Sequence, residues 1–319
     1  MSDRLIRAIA ANGRVRVVGV SITDSINEAH RRHHLSPVAI AALGRTMSAS
    51  LLLASSMKQP QARVNVRVAG DGALGLVYAD AGFDGTVRGF VSNPDLDLPV
   101  LADGSQNVAE AIGAIGFLKV LRDVGYGEPY NSTVELVSGD IAEDMSWFLA
   151  TSEQTYSKLI LTEVLDPDLT NADLTTNETP VKIAAGLLLQ VMPKAALRAA
   201  KTSNSSQEDL LRQLELKSDR PKFTDLLMQG KAIEEVMTEL FADLDIEILP
   251  MSKDVHFNCH CSLERVLAAM KLFGEDDLRS MIAEDKGAEA TCHFCGEVYR
   301  ATTDQLTELL IELQASPKA

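Results

Sequence analysis

The chain has four cysteines in its 319 residues: Cys259, Cys261, Cys292 and Cys295. They form two close pairs, C-x-C and C-x-x-C, with thirty residues between Cys261 and Cys292. A tetrahedral zinc site asks for this arrangement. Each close pair spans one edge of the tetrahedron, and the intervening segment brings the second edge round. Four unrelated buried cysteines would not leave the first 258 residues empty and then fall into pairs. The spacing therefore predicts one Zn2+ per chain, held by Cys259, Cys261, Cys292 and Cys295.

The same sulfurs carry a second chemistry. Residues i and i+2 lie up to about 7 Å apart in extended chain, whereas a disulfide wants Cα atoms about 4.4–6.8 Å apart. A Cys259–Cys261 disulfide closes only with strain, which makes it easier to reduce, and Cys292–Cys295 closes with less difficulty. Two adjacent dithiols that can each oxidise reversibly describe a switch as well as a staple. On the residues alone a purely structural zinc leads and the switch is the alternative. A catalytic zinc with three cysteines and His256, His260 or His293 is a further rival, set back because four thiolates already close the shell.

Composition narrows the classes. The formal net charge of −15 sets the chain against a phosphate backbone, so a nucleic-acid partner is not expected despite the zinc pattern. Hydrophobic residues at 46% and charged residues at 24% fit a globular protein with a full core. The start, Met1-Ser2-Asp3-Arg4, is charged and leads into no sustained apolar stretch, so no signal peptide is expected. Apolar runs such as 185–189 and 50–55 are too short for a membrane span. Clustered thiols in a chain that stays inside favour metal ligation over a permanent disulfide frame, and the expected compartment is the cytoplasm.

Two other motifs could do chemistry and are read as structure. His30-Arg31-Arg32-His33-His34 has no carboxylate spaced to match, and reads as a solvated loop or helix end before Ser36-Pro37. Gly70-Asp71-Gly72-Ala73-Leu74-Gly75 fits G-x-G-x-x-G, but a dinucleotide fingerprint must open a helix, and Leu76-Val77-Tyr78 opens a strand. The first 193 residues show no nucleophile–base pairing, so no enzyme is expected.

The elements that must position the cysteines follow from periodicity. Strands are predicted over 14–22, 64–69, 76–79, 87–91, 117–120, 133–137 and 159–164, with glycine turns marking a meander. Ser36 as N-cap and Pro37 at the first helical position open a long helix to about residue 57. Asp140 caps another, with Glu143 completing a capping-box pair. The polar stretch 166–179 reads as a loop, and the apolar stretch 181–192 closes the core. This makes an α+β domain over residues 1–193. Residues 194–250 read as a helical linker: Ser205 and Glu208 cap one helix, Asp219-Arg220-Pro221 breaks it, and Ile233, Val236, Met237, Leu240, Phe241 and Leu244 form one stripe. The linker cannot hold a core alone and must lie against a neighbour. In the C-terminal domain, 251–319, Leu263, Val266, Leu267 and Met270 form a stripe, and Asp276-Asp277 start a helix through Met281 and Ile282. From Cys259 to Cys295 there are 37 residues, below the roughly 40 that usually fold without a metal or disulfide, so zinc loss should unfold this module.

With these residues in view, the chain resembles the redox-regulated heat-shock holdases, the thirty-three-kilodalton heat-shock protein family of bacteria. The resemblance covers nearly the whole chain. It is carried by the cysteine pairs with Cys261-Ser262-Leu263-Glu264-Arg265, by Ser138-Gly139-Asp140-Ile141-Ala142-Glu143-Asp144 with Ser152-Glu153-Gln154, by Val87-Arg88-Gly89-Phe90-Val91, and by Leu187-Leu188-Leu189-Gln190-Val191-Met192-Pro193. Ala185-Gly186 stands where the family usually has two glycines, a departure expected to touch one backbone turn and leave the zinc site alone. The resemblance implies a reduced, zinc-bound, inactive state held by all four thiolates. Oxidation would then form Cys259–Cys261 and Cys292–Cys295 disulfides, release zinc and unstructure the linker. Apolar surface so exposed would hold unfolding client proteins without ATP. The family also implies a homodimer when oxidised and transfer of clients to ATP-dependent foldase chaperones. Nothing in it calls for a membrane or nucleic acid.

Overall fold

The structure is a computed structural model describing residues 2–166, 179–192, 207–217 and 219–315. The chain divides into two compact units, Met1–Asn258 and Cys259–Ala319.

The first unit holds two sheets. β1 (Arg4–Ala10) and β2 (Val15–Ser21) form a hairpin whose turn puts Ala11, Asn12 and Gly13 at positive φ. β8 (Ser157–Leu165) pairs with β9 (Val181–Val191), and β9 pairs with β2, all antiparallel. Short strands β10 (Glu247–Ile248) and β11 (Lys253–Asp254) both anneal to β1. The second sheet is the predicted meander of β3 (Arg63–Gly70), β4 (Leu76–Gly82) and β5 (Thr86–Val91), joined by β6 (Gly116–Asp123) and β7 (Tyr130–Glu135). With β12 (His256–Phe257) its order is β12-β5-β4-β3-β6-β7, and only the β12–β5 pairing is parallel.

Between the sheets runs a helix that has no polar face to spare. α1 (Thr23–His33) leads through Ser36, whose hydroxyl accepts from the Ala39 amide, into α2 (Pro37–Ala54), the helix the Ser-Pro signal predicts. α2 buries seventeen of its eighteen residues. Leu43 sits against Gly89 of β5 on one side and Leu52 against Gly186 of β9 on the other; a Cβ at Gly89 would also stand 2.6 Å from the Tyr78 carbonyl oxygen, so glycine is needed there. Each such leucine contributes about 1.5–3 kcal/mol by leaving water. Length and composition alone would let α2 cross a membrane, and here it is the core helix of the unit.

Capping at α4 (Ile141–Thr151) differs from the expected reciprocal pair. Asp140 accepts from the Ala142 and Glu143 amides, but its own amide donates to Ser138 Oγ at 3.2 Å rather than to Glu143. Gly70 and Gly72 lie in a turn against the carbonyls of Ile112 and Ala111, at the end of α3 (Val108–Ile112). That excludes a helix opening there, as expected. Ala185-Gly186 lies inside β9, not at a turn: the departure adds one buried methyl to the outer face of the sheet.

The predicted Ser205–Glu208 cap and most of the 166–179 loop lie outside the described residues. Asp219 does not simply break a helix. It accepts from the Lys222 amide and opens a new one, so α5 (Gln207–Lys217) is followed by α6 (Arg220–Met228) and α7 (Ile233–Leu240). The α7 stripe packs on the outer face of the first sheet, where Ile233, Val236 and Met237 meet Val17 and Leu187. A Cβ on Gly19 would stand 2.6 Å from Met237 Sδ, so that glycine lets the helix approach. These helices thus count with the first unit. So do residues 251–258, because β11 pairs with β1 and β12 with β5, and the division falls at Cys259.

The second unit consists of α8 (Leu263–Met270), α9 (Glu275–Ser280) running into a π turn at Met281–Asp285, the hairpin β13 (Ala288–Thr291) and β14 (Val298–Ala301), and α10 (Thr303–Ala315). Its core includes Met270, Leu278, Leu306, Leu309 and Leu310. The last helix is absent from the sequence reading. Because it adds core, the folding unit is larger than the 37 residues between the outer cysteines.

Candidate metal centre

The first cysteine pair lies just ahead of α8. Ser262 caps that helix by accepting from the Arg265 amide at 3.2 Å, and Arg265 Nη1 donates back to the His260 carbonyl at 2.8 Å. The Cys-Ser-x-Glu-Arg sequence is thereby a local device: the serine starts the helix and the arginine fixes the bend of the C-x-C segment. The second pair occupies the turn between β13 and β14. The Gly296 amide donates to the Cys292 carbonyl at 2.8 Å, the Cys292 amide to Glu297 O at 2.9 Å, and Gly296 takes φ 71°, a region glycine favours.

These two loops bring all four predicted residues together. The Sγ atoms of Cys259, Cys261, Cys292 and Cys295 lie within 4.8 Å of one another. Cys259 and Cys292 sulfurs are 3.7 Å apart, and those of Cys261 and Cys295 3.2 Å. A regular tetrahedron with metal–sulfur distances of about 2.3 Å has edges of about 3.8 Å, so the set fits a tetrahedral soft-metal site. Among the described residues this is the one group of potential ligands close enough to hold a metal, and it contains no imidazole. The rival site completed by His256, His260 or His293 has no geometric support.

Burial pushes the Cys292 and Cys295 thiols up from their ordinary range. A divalent cation reverses that direction, since a coordinated thiol is deprotonated outright. None of the four cysteines is joined in a disulfide. The sequence reading missed one neighbour of the cluster: the Tyr299 hydroxyl donates to Cys261 Sγ at 3.0 Å. Its signal was only a tyrosine four residues beyond Cys295.

The other candidate motifs supply no chemistry. His30 is buried in the last turn of α1 with Nδ1 3.0 Å from Leu35 O, and His34 ends the helix in the left-handed region. A cavity of about 1150 Å3 in the first unit is lined by Pro37, β8 and α6. Among its carboxylates, Glu163 pairs with Arg45 and Arg220, and Asp166 with Lys182.

Comparison with known proteins places this arrangement. A sequence model of the family described as Hsp33 protein matches residues 3–302. A 33 kDa chaperonin of Cyanothece sp. is 51% identical over 316 residues, covering 99% of each chain. That of Synechocystis sp. is 50% identical over 315 residues, covering 98% of each. The crystal structure of the 33 kDa chaperonin (heat shock protein 33 homolog) from Thermotoga maritima superposes with a TM-score of 0.82 at 27% identity, over 99% of this chain and 100% of that one.

Proposed function

The chain belongs to the Hsp33 family, a family of chaperones, and from that premise we propose that it is a redox-regulated, ATP-independent holdase. The observation that supports this reading best is the four-thiol cluster in its own compact unit, next in sequence to helices that cover an apolar sheet face.

In the reduced state Cys259, Cys261, Cys292 and Cys295 hold one zinc ion. Bound there, zinc keeps the sulfurs deprotonated and ties the two loops together, and it has no redox chemistry of its own. The sulfurs are the sensor. A thiolate such as Cys292 gives an electron pair to one peroxide oxygen, the O–O bond breaks, hydroxide leaves and a sulfenic acid forms. The partner thiolate, Cys295, attacks that sulfur, the S–S bond forms and a second hydroxide leaves. The same two steps at Cys259 and Cys261 complete a four-electron oxidation of the protein by two peroxides. No ligand set then remains.

The functional division runs 1–193 for the core domain, 194–250 for the metastable linker and 251–319 for the redox-switch domain. Loss of the metal-bound unit unstructures the linker, and the apolar face beneath α6 and α7 becomes a surface for unfolding client proteins. The oxidised chain dimerises, works in the cytoplasm without membrane or nucleic acid, and passes clients to ATP-dependent foldases once reduced. It acts by binding and not by catalysis.

The test is aggregation of a thermally unfolding client in the presence of the zinc-loaded reduced protein and of peroxide-treated protein, with zinc release followed in the same sample. Suppression that appears as zinc leaves and vanishes on thiol reduction is expected. Zinc release without suppression would reduce the cysteines to a structural staple.

A further inference from the structure

We propose that Tyr299 is a positioning residue of the redox site: its hydroxyl, donating to Cys261 Sγ, holds that sulfur in the ligand set and restrains its reaction with oxidant. The inference rests on the four-thiolate reading above.

The four sulfurs are not supported alike. The Cys292 sulfur accepts from the backbone amides of Phe294 and Cys295, and the Cys295 sulfur from that of Glu297. Those donors come with the turn and survive any side-chain change. Cys261 instead receives a side-chain donor from β14, thirty-eight residues away, at 3.0 Å. Tyr299 stands opposite Ala290 in the β13–β14 hairpin, so its ring is set by a rigid element. The hydroxyl bridges the second loop to Cys261 and supplies to that sulfur the kind of donor that the backbone supplies to Cys292 and Cys295.

A hydrogen bond to a thiolate is charge-assisted, and it draws electron density from the sulfur. Because a coordinated thiol is already deprotonated, the bond cannot increase the reactive fraction and lowers only its nucleophilicity. Its loss should speed attack by the first pair on peroxide about three- to tenfold. Outer-shell partners of metal ligands are also worth about 10–100-fold in metal affinity.

The experiment compares full-length, zinc-loaded, reduced wild type, Tyr299→Phe and the remote control Tyr130→Phe. Each receives a peroxide pulse, alkylation of remaining thiols and peptide mass spectrometry, while a chelator titration reads zinc retention. In Tyr299→Phe, Cys259 and Cys261 should lose free thiol about three- to tenfold faster. Any change at Cys292 and Cys295 should be smaller than that at the first pair, and zinc should pass to chelator at about a tenfold lower concentration. Tyr130→Phe should match wild type. Unchanged rates and zinc retention in Tyr299→Phe would overturn the proposal. Equal acceleration of both pairs would also overturn it, since that marks a general loosening of the unit. A wild type that retains no zinc would overturn the site reading itself, and this inference with it.

Discussion

In the first unit a helix buries seventeen of eighteen residues between two sheets, while the core of the second unit has six buried apolar side chains among the described residues. Between these extremes stand α6 and α7, which belong to the first unit but cover its sheet from one side only. A layer closed on both faces keeps its packing whatever happens at its edge. A thin core leaves the cysteine loops dependent on what joins the sulfurs. The comparison teaches where a single chemical event can act: at the sulfurs first, at the one-sided helices next, and at the central helix last.

The largest effect should come from breaking the thin side. On the proposed zinc reading, Cys295→Ser removes one of four ligands, and structural zinc is worth about 10–16 kcal/mol in small peptides. Zinc content should fall from one per chain to near zero by elemental analysis, with amides of the cysteine loops losing protection and those of α2 keeping it. Protection lost equally in both units would erase the distinction drawn here.

Sharpening the other side calls for the closed layer. Leu52 is fully buried against Gly186, and Leu52→Ala should cost about 2–5 kcal/mol in denaturant unfolding of the first unit. Zinc content should not change. A cost below about 1 kcal/mol would mean that the layer relaxes around the cavity.

Asp3 gives a pH test of the same unit. Burial pushes its carboxyl from 3.8 up to about 6, although its oxygens accept from the Asp24 and Ser25 amides at the start of α1. A raised carboxyl takes up its proton more readily in the folded state, so stability falls as pH rises from about 4 to about 6 and the cost is complete above that. Asp3→Asn has no such proton. Wild type should gain on the variant as pH falls through that window, by up to about 1.4 kcal/mol per pH unit, and a difference flat with pH would contradict the assignment.

The smallest effect concerns the one-sided helices. Arg220 at the start of α6 reaches Glu163 at 3.0 Å, and Thr224 meets Thr162 at 2.7 Å. Glu163 remains paired with the buried Arg45 when Arg220 is removed. Arg220→Ala should therefore cost only about 1 kcal/mol, read as faster hydrogen exchange confined to residues 219–228. Exchange unaltered there would show that apolar packing alone holds the helix.

The legible parts of the fold were those written locally. The cysteine pairs, the glycine-punctuated meander, the Ser36-Pro37 helix start and the 233–244 stripe each carry their signal within a few residues. What escaped depends on distant partners. β1 takes β10 and β11 from some 240 residues downstream, and no local pattern announces that pairing. α2 is apolar over most of its length, which tells of burial but not of two sheets enclosing it or of the pairing of its buried Arg45 with Glu163. Asp219 read as a breaker because its capping role shows only once the next helix is seen. Tyr299 escaped because a phenol becomes meaningful at a sulfur only when a hairpin has brought it there.

Hydrogen exchange by mass spectrometry across a peroxide titration, with client suppression measured on the same samples, tests the central claim most directly. Residues 219–240 should lose protection together with zinc release and the onset of suppression, while α2, β2 and β9 remain protected. Suppression with 219–240 still protected, or protection lost throughout the first unit, would contradict the account.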